Sequence, residues 1–313
     1  MDKSARIYIA GHRGLVGSAV VRRLRALGFN QLVTAERRDL DLTRQADVEH
    51  WFAAHRPEVV ILAAARVGGI HANSTYAADF IRDNLAVQTN VIDAAYRHGT
   101  GKLTFLGSSC IYPKHAPQPM NEDSLLSGPL EPTNEWYAIA KIAGIKMCQA
   151  YRRQFGFNAI SLMPTNLYGT GDSFDLENSH VLPALIRKFH EAKRAGLPTV
   201  IIWGTGAPRR EFMFVDDLAS AVVYLTQNYA AAGPINVGVG TDITIRELAE
   251  LVGHIVGFQG ELVFDTTKPD GTPRKLLDVS RLKALGWQAT MPLAEGIRTT
   301  YAWFCANETQ LRQ

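Results

Sequence analysis

The stretch Ile7-Tyr8-Ile9-Ala10-Gly11-His12-Arg13-Gly14-Leu15-Val16-Gly17 decides the fold of this chain. Its first four residues are apolar or aromatic and predict a buried strand, and helical periodicity begins at Val16. In a dinucleotide-binding turn the first glycine permits the tight turn, the second lets a pyrophosphate approach the backbone, and the third allows close helix packing. A bare glycine triplet is weak evidence, but a strand before it and a helix after it favour a nucleotide site. We therefore predict a cofactor loop made of Gly11, His12, Arg13, Gly14, Leu15, Val16 and Gly17.

The first half of the chain alternates short β-branched runs with longer segments of helical periodicity. This alternation is typical of a parallel sheet covered by helices on both faces, so we predict an α/β protein with a Rossmann-type doubly wound parallel sheet. The predicted strands are residues 7–10, 31–34, 59–62, 103–106, 159–162 and 200–203. The predicted crossover helices are residues 16–27, 45–55 and 80–97.

The pattern changes after about Pro164, where Gly, Pro and Asn become frequent and the periodic segments become shorter. We predict a cofactor-binding Rossmann domain over residues 1–164 and a smaller α/β lobe, mainly for substrate binding, over residues 165–313. Because no low-complexity linker separates the two, later segments such as 200–230 are expected to return to the first domain. Within the smaller lobe, residues 244–256 and 280–285 are predicted helices, the second with Ser280 as its N-cap.

Composition excludes several classes of protein. With 313 residues, 46% apolar residues and a net charge of +3, the chain is expected to form an ordinary globular protein of about two lobes. Its basic residues form no long runs, and its longest apolar stretch, residues 59–65, is too short to span a bilayer. We therefore expect neither a nucleic acid nor a membrane as a partner. Cys110, Cys148 and Cys305 lack metal-ligand spacing, which predicts reduced thiols, no metal site and a cytoplasmic location.

The residues after the second predicted strand bear on the choice of cofactor. An acidic residue there would hold a ribose hydroxyl, whereas arginines would suit a ribose phosphate. Glu36 is followed by Arg37 and Arg38, and Arg13 lies inside the glycine loop. Several cations near one ribose favour NADPH over NADH. Alternatively, Arg37 and Arg38 form a solvated turn, and Glu36 points toward NADH.

A tyrosine and a lysine lie four residues apart, at Tyr137 and Lys141, in a segment of helical composition. This spacing places both on one helix face, where the ammonium is expected to lower the pKa of the phenol and make it a usable proton donor and acceptor. An isolated Tyr-x-x-x-Lys pair is more often part of an amphipathic surface helix. Here it follows a nucleotide loop, and Ser108 at the end of the fourth strand is placed to hydrogen-bond the same substrate oxygen that Tyr137 protonates.

The nucleotide loop, Ser108, Tyr137 and Lys141 together resemble the extended short-chain dehydrogenase/reductase family, whose members reduce, epimerise or dehydrate nucleotide sugars. A more specific resemblance, to the GDP-L-fucose synthase family, rests on separated motifs that span nearly the whole chain. These motifs are residues 67–70, 73–76, 107–114, 131–135, 164–169, 178–181 and 268–275. The resemblance implies NADP(H) as cofactor, and 3,5-epimerisation followed by 4-keto reduction of GDP-4-keto-6-deoxy-D-mannose.

The same resemblance implies roles for individual residues. In that family a cysteine and a histidine exchange the protons next to the sugar carbonyl, and they map onto Cys110 and His180. Taken alone, a cysteine at a strand end is more often a small buried hydrophobe, and a lone histidine a surface or capping group. The implied cofactor contacts are Leu106, Gly107, Ser108, Ser109, Lys141, Pro164, Thr165, Asn166, Leu167 and His180. The implied substrate contacts are Lys188, Trp203, Arg210 and Asp270, although Trp203 alone suits a core position and Lys188 a solvated helix.

Three alternatives stay open on the sequence. The first is the same chemistry on the 3,6-dideoxy sugar of a GDP-L-colitose synthase, and the second is a redox-neutral epimerase or dehydratase that retains NAD. The third is a nucleotide-sensing module without turnover, against which the intact Ser108, Tyr137 and Lys141 argue. By analogy with the extended family we expect a homodimer, formed through two helices of the cofactor lobe.

Overall fold

The computed structural model describes residues 1–176, 179–268 and 270–311, so that Asn178 and Pro269 of the quoted motifs lie outside the described residues. The strands are β1 (Ile7–Ala10), β2 (Leu32–Val33), β3 (Val59–Leu62), β4 (Lys102–Leu106), β5 (Ala159–Pro164), β6 (Asn166–Tyr168), β7 (Thr199–Trp203), β8 (Arg209–Arg210), β9 (Phe212–Phe214), β10 (Ile235–Val237), β11 (Ile243–Thr244), β12 (Glu261–Asp265) and β13 (Arg274–Lys275). The α-helices are α1 (Leu15–Ala26), α2 (Gln45–His55), α3 (Ile70–Thr75), α4 (Ala77–Arg97), α5 (Glu135–Phe155), α6 (Val181–Ala195), α7 (Val215–Asn228), α8 (Ile245–Val256), α9 (Ser280–Ala284) and α10 (Leu293–Leu311).

The main sheet contains six parallel strands in the order β10-β5-β4-β3-β1-β2. Every residue of β1, β3, β4, β5 and β10 is buried, and only the short edge strand β2 is half-buried. Helices α1 and α7 pack together as one layer, while α2, α4 and α5 pack together as another. Strands that are covered on both faces consist of continuous apolar residues, and for this reason they could be predicted from the sequence. The predicted fold class is confirmed.

The topology identifies the carboxyl ends of the strands of this sheet, beside β1 and β3, as the place for a ligand. Strand β1 pairs with β2 on one side and with β3 on the other, so the order of strands reverses there. In doubly wound sheets ligands bind in the crevice outside the carboxyl ends of the strands at such a point. The glycine loop follows β1 directly, and the N–H of Ala63, after β3, donates to the Ala10 carbonyl (3.0 Å). The predicted cofactor loop therefore lies at the switch point.

A second core lies in the C-terminal half and is built mainly from α6, α8 and α10 with short two- and three-stranded sheets. Helix α8 begins with a capping box: the Thr244 hydroxyl accepts the Glu247 N–H, and the Glu247 carboxylate accepts the Thr244 N–H. The next helix differs from the prediction, because Ser280 is its first residue and not its N-cap. The Ser280 N–H and hydroxyl donate instead to Asp278 Oδ1, at 2.9 and 2.6 Å.

Residues 200–230 divide between the two cores. The strand β7 was expected to continue the series of buried strands, but it pairs in parallel with β12 outside the main sheet. Helix α7 packs on α1, and β10 after it joins the edge of the main sheet. Only the second part of this segment is therefore associated with the Rossmann sheet. Within the described ranges no helix is long and apolar enough to cross a membrane, and no group of three potential metal ligands is found.

Candidate active site

The glycine loop forms a cradle in which side chains would not fit. Gly11 has φ +85°, and a Cβ on it would lie 2.8 Å from the backbone of Ala64, while a Cβ on Gly17 would lie 2.1 Å from the Gly11 carbonyl oxygen. A Cβ on Gly14, the N-cap of α1, would lie 3.5 Å from the Gly11 carbonyl oxygen, in ordinary van der Waals contact, and no acidic residue occupies the first turn of the helix. A phosphate can therefore approach the N-terminus of the 12-residue helix α1 and accept hydrogen bonds from the N–H groups of its first turn. This cradle fits the pyrophosphate of a dinucleotide.

The residues at the adenosine-ribose end form a charge network. Arg13 Nη1 lies 3.1 Å from one oxygen of Glu36, and Arg38 Nε lies 3.2 Å from the other. The arginine side chains are largely exposed, and Arg37 beside them is exposed as well. Because both oxygens of Glu36 are engaged by arginines, this carboxylate no longer presents an isolated negative charge to a ribose phosphate. The network fits NADP(H), and it resolves the conflict between Glu36 and the arginines.

The segment after β4 turns back through Ser108. Its hydroxyl accepts the Cys110 N–H (3.4 Å) and caps the short 3₁₀ helix Ser109–Ile111. The Ser108 Oγ and Cys110 Sγ lie 2.7 Å apart. A Cβ on Gly107 would lie 2.5 Å from Met163 Sδ and 3.2 Å from the Leu162 carbonyl oxygen, so a side chain there would force Met163 to move. The turn thus holds a hydroxyl and a thiol side by side at the carboxyl end of the sheet.

Helix α5 supplies the phenol and the ammonium. The Lys141 side chain is buried, its Nζ donates to the Leu106 carbonyl (2.8 Å), and it lies 5.8 Å from the centre of the Tyr137 ring. Burial lowers the pKa of Lys141 to about 8, and the electrostatic interaction with Cys110 opposes this shift. The helix spacing predicted from sequence has therefore brought both groups to the end of β4.

The pKa of Tyr137 is raised in this structure and not lowered as the spacing predicted. Burial raises the pKa of Tyr137, the charge of Cys110 raises it further, and a hydrogen bond with Ser108 lowers it only in part. Desolvation disfavours the charged phenolate and is the largest cause of the raised pKa. The phenol is consequently protonated at neutral pH.

The cofactor residues predicted around β5 surround the same strand ends. Gly107 donates its N–H to the Leu162 carbonyl (2.8 Å), so the turn after β4 lies against β5. After Pro164 the chain is held by two side chains, because Thr165 Oγ1 and Asn166 Nδ2 both donate to the Glu211 carbonyl, at 3.3 and 2.8 Å. Ser109 and Thr165 are buried, whereas Asn166 and Leu167 in β6 are half-buried.

His180 is the N-cap residue of α6 and is exposed to solvent. Desolvation by the protein atoms around its ring lowers its pKa, and the positive charge of Lys275 lowers it further. Lys275 in turn responds to the charge of Cys110, which raises its pKa against the larger effect of burial. Lys275 therefore lies within electrostatic range of both Cys110 and His180, and the neutral imidazole is favoured.

The four predicted substrate residues form two neighbouring pairs. Lys188 Nζ lies 5.3 Å from the centre of the Trp203 ring, and Trp203 is 59% exposed, so it presents an aromatic face and is not a core residue. Asp270 accepts the N–H and the hydroxyl of Thr205, at 2.7 and 2.8 Å, in the turn directly after Trp203. Arg210, whose pKa is lowered by burial, is also influenced by the charge of Asp270.

Sequence reasoning missed Lys275, Lys114 and Glu131 as members of the site. The β8–β13 pairing places Lys275 opposite Arg210, and Glu131 forms an ion pair with Lys114 (3.0 Å). All three lie inside quoted motifs, but their chemistry depends on pairing between distant segments. The residues together offer a thiol, a phenol, a hydroxyl and an imidazole beside the buried Lys141 and several half-buried cations, which is an arrangement for moving protons beside a carbonyl.

Comparison with known proteins identifies relatives of this chain. Residues 7–238 match the model of the NAD dependent epimerase/dehydratase family. Over 306 residues the chain is 63% identical to GDP-L-fucose synthase 1 of Arabidopsis thaliana, a match that covers 98% of this chain and 95% of the relative. The chain belongs to the GDP-L-fucose synthase family.

Two further relatives have lower sequence identity to this chain. GDP-L-colitose synthase of Yersinia pseudotuberculosis is 38% identical over 301 residues, covering 96% of this chain and 97% of the relative. The crystal structure of a GDP-L-fucose synthetase from Naegleria fowleri bound to NADP has a TM-score of 0.91 at 28% identity, covering 100% of this chain and 98% of that one. The resemblance inferred from the separated motifs is confirmed.

Proposed function

We propose that this member of the GDP-L-fucose synthase family converts GDP-4-keto-6-deoxy-D-mannose to GDP-L-fucose by 3,5-epimerisation and then reduction at C4, with NADP(H) as cofactor. The observation that carries the proposal is the Ser108–Cys110 pair, 2.7 Å apart, in one cluster with Tyr137 and Lys141 and within electrostatic range of Lys275. A protein that only binds a nucleotide, without turnover, has no need of this cluster.

Epimerisation uses the acidity of the carbons next to the keto group. The proton on C3 or C5 is removed by a base, the bonding electrons move to the carbonyl oxygen as an enolate, and a proton returns to the opposite face. Cys110 and His180 are the proposed base and acid; the lowered pKa of His180 leaves its imidazole neutral in the free protein, so it must take up a proton in the substrate complex before it can return one to carbon. Ser108 and Tyr137 donate to the oxygen that carries the enolate charge.

Reduction uses the same carbonyl. When bound, NADPH supplies the hydride for C4. Tyr137 donates its proton to the carbonyl oxygen, and its raised pKa keeps that proton in place until the oxygen becomes basic. Lys141 holds the nicotinamide ribose with the N–H groups that its bond to Leu106 leaves free, and His180 completes the nicotinamide side.

The cofactor contacts extend from the glycine loop to the segments after β4 and β5. The loop residues are Gly11, His12, Arg13, Gly14, Leu15, Val16 and Gly17. Arg37 and Arg38 contact the ribose phosphate. Leu106, Gly107, Ser108, Ser109, Pro164, Thr165, Asn166 and Leu167 line the nicotinamide side.

The GDP moiety is held by the smaller lobe. Trp203 offers an exposed aromatic face to the base, and Lys188 and Arg210 offer positive charge to the diphosphate. Asp270 holds the turn after Trp203 through Thr205 and so fixes this wall of the cleft. The substrate lobe comprises most of residues 165–313, and the cofactor domain residues 1–164 with α7 and β10.

The proposal extends to assembly and location. Helices α4 and α5 pack side by side in the layer on one face of the main sheet, and they are the surface through which we expect a homodimer. Sedimentation of the purified protein tests the dimer.

Cys110, Cys148 and Cys305 are free thiols, which is consistent with the reducing cytoplasm.

Turnover in deuterated water tests the function. Protein, NADPH and GDP-4-keto-6-deoxy-D-mannose are mixed, NADPH absorbance is followed, and the product is analysed for deuterium at C3 and C5. Loss of NADPH with deuterium at both carbons is expected. Loss without deuterium would exclude the epimerase step, and no loss would refute the proposal. A parallel reaction with the 3,6-dideoxy analogue separates a GDP-L-colitose synthase, and turnover without net NADPH loss would indicate a redox-neutral epimerase.

A further inference from the structure

Glu131 lies where three segments of the site meet. Its Oε2 lies 3.0 Å from Lys114 Nζ, in the segment that carries Cys110, and accepts the hydroxyl of Thr272 (3.2 Å) from the substrate lobe. Its Oε1 accepts the N–H and the hydroxyl of Thr133, at 3.4 and 3.3 Å, just before the helix that carries Tyr137. Both carboxylate oxygens are therefore used, and each connects a different part of the chain.

The surroundings of Glu131 are unusual for a surface ion pair. The Glu131 side chain is only 11% exposed, and Thr272 is buried. Burial alone would raise the pKa of Glu131, but the hydrogen bonds from Lys114 and Thr133 outweigh it, so the pKa is lowered and the carboxylate is charged. Hydrogen bonds to a buried charge are the stronger kind, and leaving one unmade is costly.

The bond to Thr272 crosses between lobes and joins a segment that carries two site residues. Asp270 stands two residues before Thr272 and Lys275 three residues after it. Lys275 lies opposite Arg210 in the β8–β13 pair, and the charge of Arg210 lowers the pKa of Lys275 while that of Glu131 raises it. Two like charges are thus held together next to an internal anion.

We infer that Glu131 is a positioning residue that ties the segment 270–275 of the substrate lobe to the catalytic segments and thereby fixes Arg210 and Lys275 for the GDP-sugar. The inference rests on the proposed function, because the cations matter only if a GDP-sugar binds there. Glu131 touches neither reacting carbon and exchanges no proton. Its effect is on where the substrate lobe stands.

Two effects of opposite sign can be separated by choice of variant. If Glu131 acted only as a competing anion, its removal would tighten the binding of GDP, since the cations would be free. If it acts through its bond to Thr272, its removal loosens the binding. Thr272→Val removes the hydrogen bond between Thr272 and Glu131, here called the tether, and leaves every charge in place. Thr133→Val removes the other hydroxyl that donates to the Glu131 carboxylate, but that bond lies within one segment of the chain. The pair is matched in chemistry and differs only in whether the bond crosses the lobes.

The experiment measures the binding of GDP by calorimetry, and KM and kcat for GDP-4-keto-6-deoxy-D-mannose and NADPH. Thr272→Val and Glu131→Gln should raise the Kd for GDP and the KM for the GDP-sugar about five- to tenfold, with KM for NADPH within about twofold of wild type. Thr272→Ser should restore wild-type values, and Thr133→Val should change them by less than about twofold. A general structural defect would move the NADPH constant and the melting temperature as well.

Several outcomes would overturn the inference. Tighter GDP binding by Glu131→Gln, or equal effects of Thr272→Val and Thr133→Val, would show that the tether does not position the cations. An increase in KM for NADPH equal to that for the GDP-sugar would show a general folding defect. If the wild-type protein turns over the GDP-sugar and all variants have the wild-type Kd for GDP and KM for the sugar, this inference alone is refuted. A wild-type protein that neither binds GDP nor consumes the sugar refutes the proposed function and this inference together.

Discussion

Replacement of Asp172 by Asn should stabilise the protein at pH 8 and not at pH 4. Asp172 lies in the connection between β6 and α6, eight residues before His180, and is 8% exposed. Its Oδ1 accepts the Ser173 N–H (2.8 Å), but its Oδ2 is buried without a hydrogen-bond partner among the described residues. Burial raises the pKa of Asp172 from 3.8 to about 7, against the opposing effect of the Ser173 bond.

The magnitude and sign follow from proton linkage. Between pH 3.8 and about 7 the folded chain keeps a proton that the unfolded chain has lost, so the free energy of unfolding falls as pH rises through this window. A pKa difference of about 3 corresponds to about 4 kcal/mol at pH 8, since each pKa unit is worth about 1.4 kcal/mol. Asn keeps the bond to Ser173 but buries an unpaired amide at a cost of about 1–2 kcal/mol. The net gain expected for Asp172→Asn at pH 8 is therefore about 2–3 kcal/mol.

Urea unfolding of wild type and Asp172→Asn at intervals from pH 4 to pH 8 measures this difference. The variant should be equal to wild type or slightly less stable at pH 4, and its advantage should grow up to about pH 7 and then level off. Asp47→Asn is the control, because the Asp47 carboxylate is 40% exposed and pairs with Arg44, the N-cap of α2. A stability difference for Asp172→Asn that stays constant from pH 5 to pH 8 would refute the assignment of a protonated buried carboxyl.

Three further variants test the chemistry. Cys110→Ser should abolish deuterium incorporation at C3 and C5 and lower turnover of the 4-keto sugar at least about 100-fold, while hydride transfer to an already epimerised ketone stays within about threefold; equal loss of both would contradict the division of roles. Tyr137→Phe should lower kcat about 10²- to 10⁴-fold with little change in the Kd for NADPH, measured by fluorescence titration, and retained activity would exclude Tyr137 as proton donor. Arg38→Ala should raise KM for NADPH about tenfold and leave KM for NADH unchanged, and a parallel rise in both would refute the ribose-phosphate contact.

The parts of the fold that sequence predicted are those whose signal is local. The helix Gln45–His55 matches its predicted bounds, and the glycine loop follows β1 as expected. Each depends on residues within one turn or one strand, where periodicity and the steric freedom of glycine act directly. The Tyr137–Lys141 spacing belongs to the same class, since a helix fixes the relation of residues four apart.

What sequence could not predict depends on long-range pairing or on burial. The run Val200-Ile201-Ile202-Trp203 looks like a fully buried strand, but it pairs with β12, and Ile201 and Trp203 are exposed. An apolar run specifies a strand and not its partner. The presence of Lys275 beside Arg210 likewise requires pairing across 65 residues, from 210 to 275. The raised pKa of Tyr137 reflects the protein packed around it, which a four-residue spacing does not contain.

The buried charges also explain how one site can serve two reactions. Burial lowers the pKa of Lys141, Arg210 and Lys275, so each cation is less stable there than in water, and Glu131 is the buried carboxylate whose charge acts on the latter two. Such a site gains most from ligands that bring negative charge. A GDP-sugar brings a diphosphate, and an enolate or an alkoxide at the sugar oxygen adds negative charge only in the transition states of epimerisation and reduction. Because Tyr137 remains protonated, it can donate to that oxygen in either reaction. Substrate binding and the developing charge on the sugar oxygen therefore offset the partial desolvation of these cations.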